Sequence, residues 1–135
     1  MNEKSVTEWI KKAESDLKTG KDEFMTFEPA TDTICFHMQQ CVEKYLKVFL
    51  IFNGKEIKRT HIIEELVKDC EDIDPEYHQL FEIGVQNLTD FAVELRYPGE
   101  FIFPSIEETE EAIKIAEKAK AFVLEKLREK GFKNA

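Results

Sequence analysis

One stretch of the chain places five chemically useful side chains on the same side of a predicted helix. On a helical wheel of about 100° per residue, a single arc holds an imidazole, an amide, a carboxylate and two ammonium groups. These residues are His37, Gln40, Glu43, Lys44 and Lys47. The arc is a candidate wall of a cleft that binds an anionic ligand. The alternative is that it is the solvated face of a helix that is otherwise buried.

A second candidate site lies just before a short predicted helix. Arg59, Thr60 and His61 place a guanidinium and an imidazole at the N-terminus of that helix. Backbone N–H groups and the helix dipole favour an anion at such a position. In the alternative interpretation, Thr60 caps the helix and Arg59 pairs with one of the many carboxylates of the chain.

The third candidate is the pair Arg96 and Tyr97, where a long predicted helix stops at Pro98. A guanidinium beside an aromatic ring can hold a phosphate and stack on a base. In the alternative interpretation, Arg96 satisfies the last carbonyl groups of its own helix. Tyr97 would then pack against the apolar loop at residues 101–103.

Standard signatures of enzymes and metal sites are missing from the sequence. It contains no P-loop, GxGxxG, HExxH or GxSxG motif. His37 and Cys41 have a spacing that a metal could share, but Cys41 lies on the apolar side of its helix. The sequence therefore predicts neither a metal site nor a cofactor.

The elements that position these candidates are helices. The stretch from Asp32 to Gly54 is apolar over about half of its circumference, so other helices must cover it. Capping residues and helix breakers predict the other helices. The first runs from a Ser5 cap to Phe24, and a short helix follows Thr60. A fourth helix runs from Pro75 to about Arg96 with Asp74 as cap, and the last runs from a Ser105 capping box to about Lys130. We predict an all-α fold, most simply an up-down bundle of four long helices plus one short helix, in a single domain over residues 1–135.

Composition limits the classes of function. The 135 residues include 28 acidic and 19 basic side chains, which give a net charge of -9. This balance argues against non-specific binding of long duplex nucleic acid, although a local basic pocket is compatible with it. There is no apolar leader and no run near the ~20 residues of a membrane span, so we expect a cytoplasmic protein without a membrane partner. Of the three cysteines, Cys35 and Cys41 are predicted to be small buried core residues.

Several of these segments together resemble the HEPN family (higher eukaryotes and prokaryotes nucleotide-binding domain). Phe36 to Lys47, FHMQQCVEKYLK, is similar to the family signature FHxQQxxEKxLK. The other matching segments are Trp9-Ile10 with Ala13 and Asp16-Leu17, Asn53-Gly54, Arg59-Thr60-His61 and Arg96-Tyr97-Pro98. The resemblance implies a bundle of four or five helices that forms a homodimer with a polar cleft at the subunit junction. It also implies nucleotide or RNA as ligand, and a minimal nucleotidyltransferase as protein partner.

Several HEPN branches are metal-independent ribonucleases with an Arg-x4–6-His motif. No histidine stands at those distances after Arg59, Arg96 or Arg128. The leading hypothesis is therefore a non-catalytic module that binds nucleotide or RNA, as the partner of a nucleotidyltransferase in a toxin–antitoxin-like or defence pair.

Two alternatives stay open. In the first, the chain is an endoribonuclease with a non-standard site, in which His37 or His61 acts as base and acid and Arg59 or Arg96 stabilises the phosphorane. In the second, the polar residues serve assembly alone, as hydrogen bonds of a subunit interface.

Overall fold

A computed structural model of the protein describes residues 3–93 and 96–134, and within these ranges it contains helices and no strand. The prediction of an all-α fold is thus confirmed. The described residues form five α-helices: α1 (Glu3–Phe24), α2 (Thr31–Phe52), α3 (Ile63–Glu71), α4 (Gln79–Ile83) and α5 (Ile106–Glu129). Two 3-10 helices, Pro75–His78 and Val85–Ala92, precede and follow α4.

Helix α2 is the centre of the bundle, as its wide apolar arc predicts. Ile34, Cys41, Tyr45 and Val48 are each completely buried, and α2 packs against α1, α3, α5 and the second 3-10 helix. Its less buried side chains form a stripe along one side, which we call the α2 stripe: Thr33, Phe36, His37, Gln40, Lys44 and Ile51. The predicted polar arc and the α2 stripe therefore overlap at His37, Gln40 and Lys44.

Side-chain contacts define the direction of each helix. Helix α1 is antiparallel to α2, because Asp16 contacts both His37 and Lys44 while Gly20, nearer the end of α1, lies against Met38 and Ile34. Glu14 joins three helices, since it accepts hydrogen bonds from Tyr45 of α2 at 2.6 Å and from Lys120 of α5 at 2.9 Å.

The segment from residue 74 to residue 92 runs antiparallel to α5. The side chains of Asp74 and Lys126 meet at one end, the rings of Tyr77 and Phe122 lie 5.0 Å apart, and Gly84 lies close to Ile115 farther along. This segment is the third limb of the up-down bundle, and α5 is the fourth.

The predicted fourth long helix is divided into three shorter segments, so the predicted count of long helices is approximate. Gly84 adopts φ = 97°, a left-handed conformation that ends α4 and that glycine reaches without the steric cost other residues bear. The cap at Asp74 is confirmed, because its side chain accepts from the backbone N–H of Glu76 at 2.9 Å. Glu94 and Leu95, which the predicted helix included, lie outside the described residues.

The other predicted caps have mixed outcomes. Ser105 and Glu108 form the expected capping box at the start of α5. Ser5 is not the cap of α1, since α1 already includes Glu3. Thr60 is not the N-cap of α3, which begins at Ile63.

The predicted burial of Cys35 and Cys41 is confirmed, and Cys70 is buried as well. All three are free thiols. Burial raises the pKa of the Cys35 thiol to about 11 and raises the pKa values of Cys41 and Cys70 further. Among the residues that the structure describes, no helix combines the length and the apolar content needed to cross a bilayer.

Candidate ligand-binding site

A buried carboxylate, Glu43, binds side chains from two parts of the chain. Its side chain is 5% exposed and lies in the middle of α2. One oxygen accepts from Lys47 Nζ at 2.9 Å, one turn farther along the helix. The other lies 2.8 Å from His61 Nδ1 and also accepts from Gln39 Nε2 at 3.1 Å. We call these four residues the Glu43 cluster.

The charge of the Glu43 cluster is balanced internally. Burial raises the pKa of Glu43, but the hydrogen bonds from Lys47, His61 and Gln39 outweigh burial and hold that pKa below its ordinary value. The carboxyl is therefore ionised at neutral pH, and the buried ammonium of Lys47 compensates it. Gln39 also donates to the His61 backbone carbonyl at 3.0 Å, so the segment before α3 is held against α2.

A second carboxylate, Asp16 of α1, binds the other two basic residues of the arc. Its Oδ1 lies 2.9 Å from His37 Nδ1, and its Oδ2 accepts from Lys44 Nζ. The side chain of Asp16 is 13% exposed, so both contacts are partly screened from water. We call Asp16, His37 and Lys44 the Asp16 cluster.

Gln40 lies beside the Glu43 cluster. Its amide donates to Gln39 Oε1 at 2.7 Å, and Gln39 in turn donates to Glu43. All five residues of the predicted arc thus belong to, or border on, one of two neighbouring polar clusters. They bind carboxylates or amides of the protein itself, so most of their basic groups already have a partner within the fold.

The segment before α3 leaves its basic groups exposed. Arg59 is exposed and has no hydrogen bond or ion pair with any residue in ranges 3–93 and 96–134. The side chain of His61 is 67% exposed although its Nδ1 is held by Glu43. Thr60 donates to Glu65 at 2.7 Å and accepts from the backbone N–H of Ile62 at 3.1 Å.

The N-terminus of α3 itself is already occupied by protein groups. The N–H of Ile63 donates to Thr89 Oγ1 at 3.2 Å, and the first turn carries Glu64 and Glu65. Acidic side chains in the first turn compensate the positive end of the helix dipole. An anion at Arg59 and His61 would therefore be bound by their side chains, and not by the helix terminus.

No hydrogen bond or ion pair among the described residues joins Arg96 or Tyr97 to either cluster. The guanidinium of Arg96 donates to the carbonyl oxygen of Asp90, near the end of the second 3-10 helix. This contact is the one expected if Arg96 satisfies the last carbonyl groups of its own helical segment. Tyr97 is 79% exposed, whereas the rings of Phe101 and Phe103 contact each other at 6.0 Å.

Two members of these clusters were not predicted as site residues. Asp16 lies among the inward-facing positions Ala13, Leu17 and Gly20 of α1, and a lone carboxylate on a buried face is the signal that identifies it. Gln39 is completely buried. It stands next to Gln40, and residue type alone does not show which of the two glutamines contacts Glu43. No group of three or more His, Cys, Asp or Glu side chains suited to a metal occurs within residues 3–93 and 96–134.

The comparisons with known proteins agree on one family. A family model described as HEPN domain matches residues 6–127. The protein TT1696 from Thermus thermophilus is 30% identical with a TM-score of 0.76, and the match covers 94% of this chain and 100% of that one. ST0689, an archaeal HEPN homologue, is 25% identical with a TM-score of 0.71, over 90% of this chain and 97% of that one. A comparison with curated proteins gives no match. The chain therefore belongs to the HEPN family, whose domains are nucleotide-binding or ribonuclease-type modules.

Proposed function

We propose that this HEPN domain is a non-catalytic module that binds nucleotide or RNA, with Arg59 and His61 as its contacts to phosphate. One observation carries the proposal: an imidazole held by a buried carboxylate lies exposed two residues from an exposed arginine without a partner in the described residues. A guanidinium binds phosphate through two parallel hydrogen bonds, and a neighbouring imidazole adds a third donor when protonated.

The Glu43 cluster supports this role because it orients His61. With Nδ1 donating to Glu43, the Nε2 atom is left to interact with a ligand. A protonated ring presents its second N–H, on Nε2, as a donor to phosphate. Lys47 and Gln39 hold the carboxylate in place, so the direction of the imidazole is fixed before any ligand arrives.

The absence of catalysis is supported by how the histidines are distributed. Cleavage of RNA without a metal needs a base, an acid and a charge stabiliser around one phosphate. His37, His61 and His78 bind three different carboxylates, on Asp16, Glu43 and Glu71 respectively. Each imidazole thus has a different carboxylate partner, and His61 is the one that follows Arg59 by two residues in the sequence.

The test uses two variants and two matched controls. We expect Arg59→Ala and His61→Ala each to weaken binding of ATP, GTP or short RNA by about tenfold, because a hydrogen bond to a charged group contributes ~1.5–3 kcal/mol. His78→Ala is the control for His61, since His78 is 70% exposed and also binds a carboxylate through Nδ1. Arg128→Ala is the control for Arg59.

Isothermal titration calorimetry on the four variants measures the effect. Equal losses in variants and controls would overturn the assignment of the site, and a lack of binding by the unmodified protein would overturn the function.

A ribonuclease is the second candidate, and the pair of Glu43 and His61 is the observation in its favour. A carboxylate that orients an imidazole is the arrangement of many general bases. This candidate predicts cleavage of RNA in the presence of a chelator, with complete loss of cleavage in His61→Ala and retention in His78→Ala. A purified dimer that leaves RNA intact at high protein concentration removes it.

We further propose a homodimer, and a minimal nucleotidyltransferase as the protein partner in a toxin–antitoxin-like or defence pair. Support for self-association comes from exposed apolar side chains in and next to the segment between the second 3-10 helix and α5: Val93, Tyr97, Phe101, Phe103 and Ile106. Exposed aromatic patches of this kind mark interaction surfaces. Support for the nucleotidyltransferase is the resemblance of the α2 signature. Light scattering of the purified chain tests the first, and co-expression with a nucleotidyltransferase encoded beside it tests the second.

A further inference from the structure

An open groove of about 690 Å³ lies between α1 and α2, apart from Arg59 and His61. It is lined by Glu8, Trp9, Lys11, Lys12 and Ser15 of α1 and by Lys44 of α2. We call it the Trp9 groove. Three of its six side chains are lysines and one is a glutamate, in a chain whose net charge is -9. The groove is therefore a local basic site on an acidic protein.

Two lysines of the groove have no partner in the described part of the chain. Lys11 and Lys12 are exposed and form no ion pair or hydrogen bond there. Farther along the same helix, Lys18 pairs with Asp22 and Lys21 pairs with Glu117. The fold thus neutralises the lysines of the second half of α1 and leaves those around Trp9 available to an anion.

Trp9 gives the groove an aromatic surface. Its ring is partly buried against the hydrophobic core, so one part of the indole is fixed while the rest faces the groove. An indole fixed in this way is a stacking platform for a nucleobase, and such stacking is worth ~1–3 kcal/mol per base. An aromatic platform in a groove that also carries unpaired lysines is the combination that recognises single-stranded nucleic acid.

The Trp9 groove is connected to the site at Arg59 and His61 along α2. Lys44 lines the groove and binds Asp16, which also binds His37 of the α2 stripe. Gln40, between His37 and Lys44 on that stripe, bonds to Gln39 of the Glu43 cluster. A strand that follows the α2 stripe can therefore contact both sites, whereas a single nucleotide occupies one.

We propose that the Trp9 groove binds a segment of single-stranded nucleic acid, with a base stacked on Trp9 and phosphates on Lys11 and Lys12. The inference rests on the proposed function, because it extends the ligand from a nucleotide to a strand. It assigns the groove a role in binding and no role in chemistry.

The chain contains one tryptophan, so its intrinsic fluorescence reports on this groove without a label. The experiment titrates the full chain with single-stranded RNA of roughly 12 nucleotides, DNA of the same sequence, the duplex form of the RNA, and ATP. We expect saturable quenching by the single strands, and little quenching by the duplex or by ATP. The RNA and DNA arms show whether the 2′-hydroxyl contributes.

A double variant tests the two exposed lysines of the groove. Lys11→Ala with Lys12→Ala should weaken binding of the strand by about tenfold or more at low salt. It should also reduce the slope of log K against log salt by about 1.4, since each phosphate contact to a single strand contributes ~0.7. The control is Lys68→Ala with Lys118→Ala, two exposed helical lysines without partners in the described residues. It should leave both quantities unchanged.

The outcomes separate this inference from the proposed function. Strand binding that depends on Arg59 but neither quenches Trp9 nor responds to the double variant overturns the groove and leaves the function in place. Quenching that persists in Arg59→Ala, with no ATP binding by the unmodified protein, supports the groove and overturns the function at Arg59. A fluorescence change produced by a protein partner and by none of the nucleic acids overturns the inference.

Discussion

Replacement of Glu43 by glutamine removes the negative charge from the centre of the Glu43 cluster. The amide oxygen still accepts one hydrogen bond, but the ammonium of Lys47 is left without its counter-charge while its side chain is 9% exposed. Breaking a buried ion pair by removing one partner costs ~3–5 kcal/mol. For a domain with ~5–15 kcal/mol of stability, this is a large share, and it corresponds to a fall in Tm of about 11–18 °C.

The structure offers a control with the same spacing and different burial. Lys18 and Asp22 are also four residues apart on a helix, but their side chains are 77% and 64% exposed. Asp22→Asn should therefore leave the free energy of unfolding almost unchanged, because exposed ion pairs contribute little. The double variant Glu43→Gln with Lys47→Met should be more stable than Glu43→Gln alone, because it no longer buries an uncompensated ammonium.

Denaturant unfolding followed by circular dichroism measures the free energy of unfolding of the unmodified protein, Glu43→Gln, Asp22→Asn and the double variant. The pH dependence has a defined sign: because the pKa of Glu43 is held below 4.5, its contribution is complete above that pH and is lost as the pH falls through the lowered pKa. The unmodified protein and Glu43→Gln should therefore converge in stability at acid pH. A loss below ~1 kcal/mol at neutral pH, equal to that of Asp22→Asn, would refute the buried pair.

Substitutions at three further positions have outcomes that follow from the structure. A Cβ at Gly20 would lie 2.3 Å from Met38 Cε, which is the movable end of a flexible side chain. Gly20→Ala should therefore change Tm by no more than about 3 °C. The larger side chain of Gly20→Val should lower the free energy of unfolding in urea by ~1–3 kcal/mol. Burial raises the pKa of Asp74, but hydrogen bonds from Lys126 and from a backbone N–H outweigh burial and lower that pKa below 3.8. Asp74→Asn should therefore destabilise the protein at pH 7 by ~1–3 kcal/mol. The difference from the unmodified protein should disappear as the pH falls through the lowered pKa. If the proposed homodimer forms through this side chain, which is 74% exposed, Phe103→Ser should leave the helical circular dichroism unchanged and shift light scattering from the dimer mass towards the monomer mass.

The helical fold was predictable where the apolar pattern is wide and bounded by strong signals. The predicted stretch from Asp32 to Gly54 is helical over Thr31–Phe52, because a long run of buried residues between a proline and a glycine has one interpretation. The third limb was predicted as one helix because α and 3-10 helices have similar apolar spacing. Gly84 divides this limb through its left-handed conformation, which does not change the spacing of the apolar residues.

The polar arc was predictable as a group, but its partners were not. A wheel places His37 and Lys44 on one side of α2, and says nothing about which carboxylate faces them from another helix. Asp16 binds Lys44 across 28 residues of sequence, and His61 binds Glu43 across 18. These pairings depend on how helices pack, so the ligand-binding roles of the arc, of Arg59 and of Tyr97 stay predictions until binding is measured.

The buried thiols also make the chain a convenient object for chemical labelling. Cys35, Cys41 and Cys70 are each completely buried, and their raised pKa values keep them protonated at neutral pH. A thiolate is the reactive form, so alkylating reagents reach these side chains only through an opened state. A single cysteine introduced on the surface would therefore take a fluorophore selectively, and slow modification of the three native thiols would time the spontaneous opening of the core.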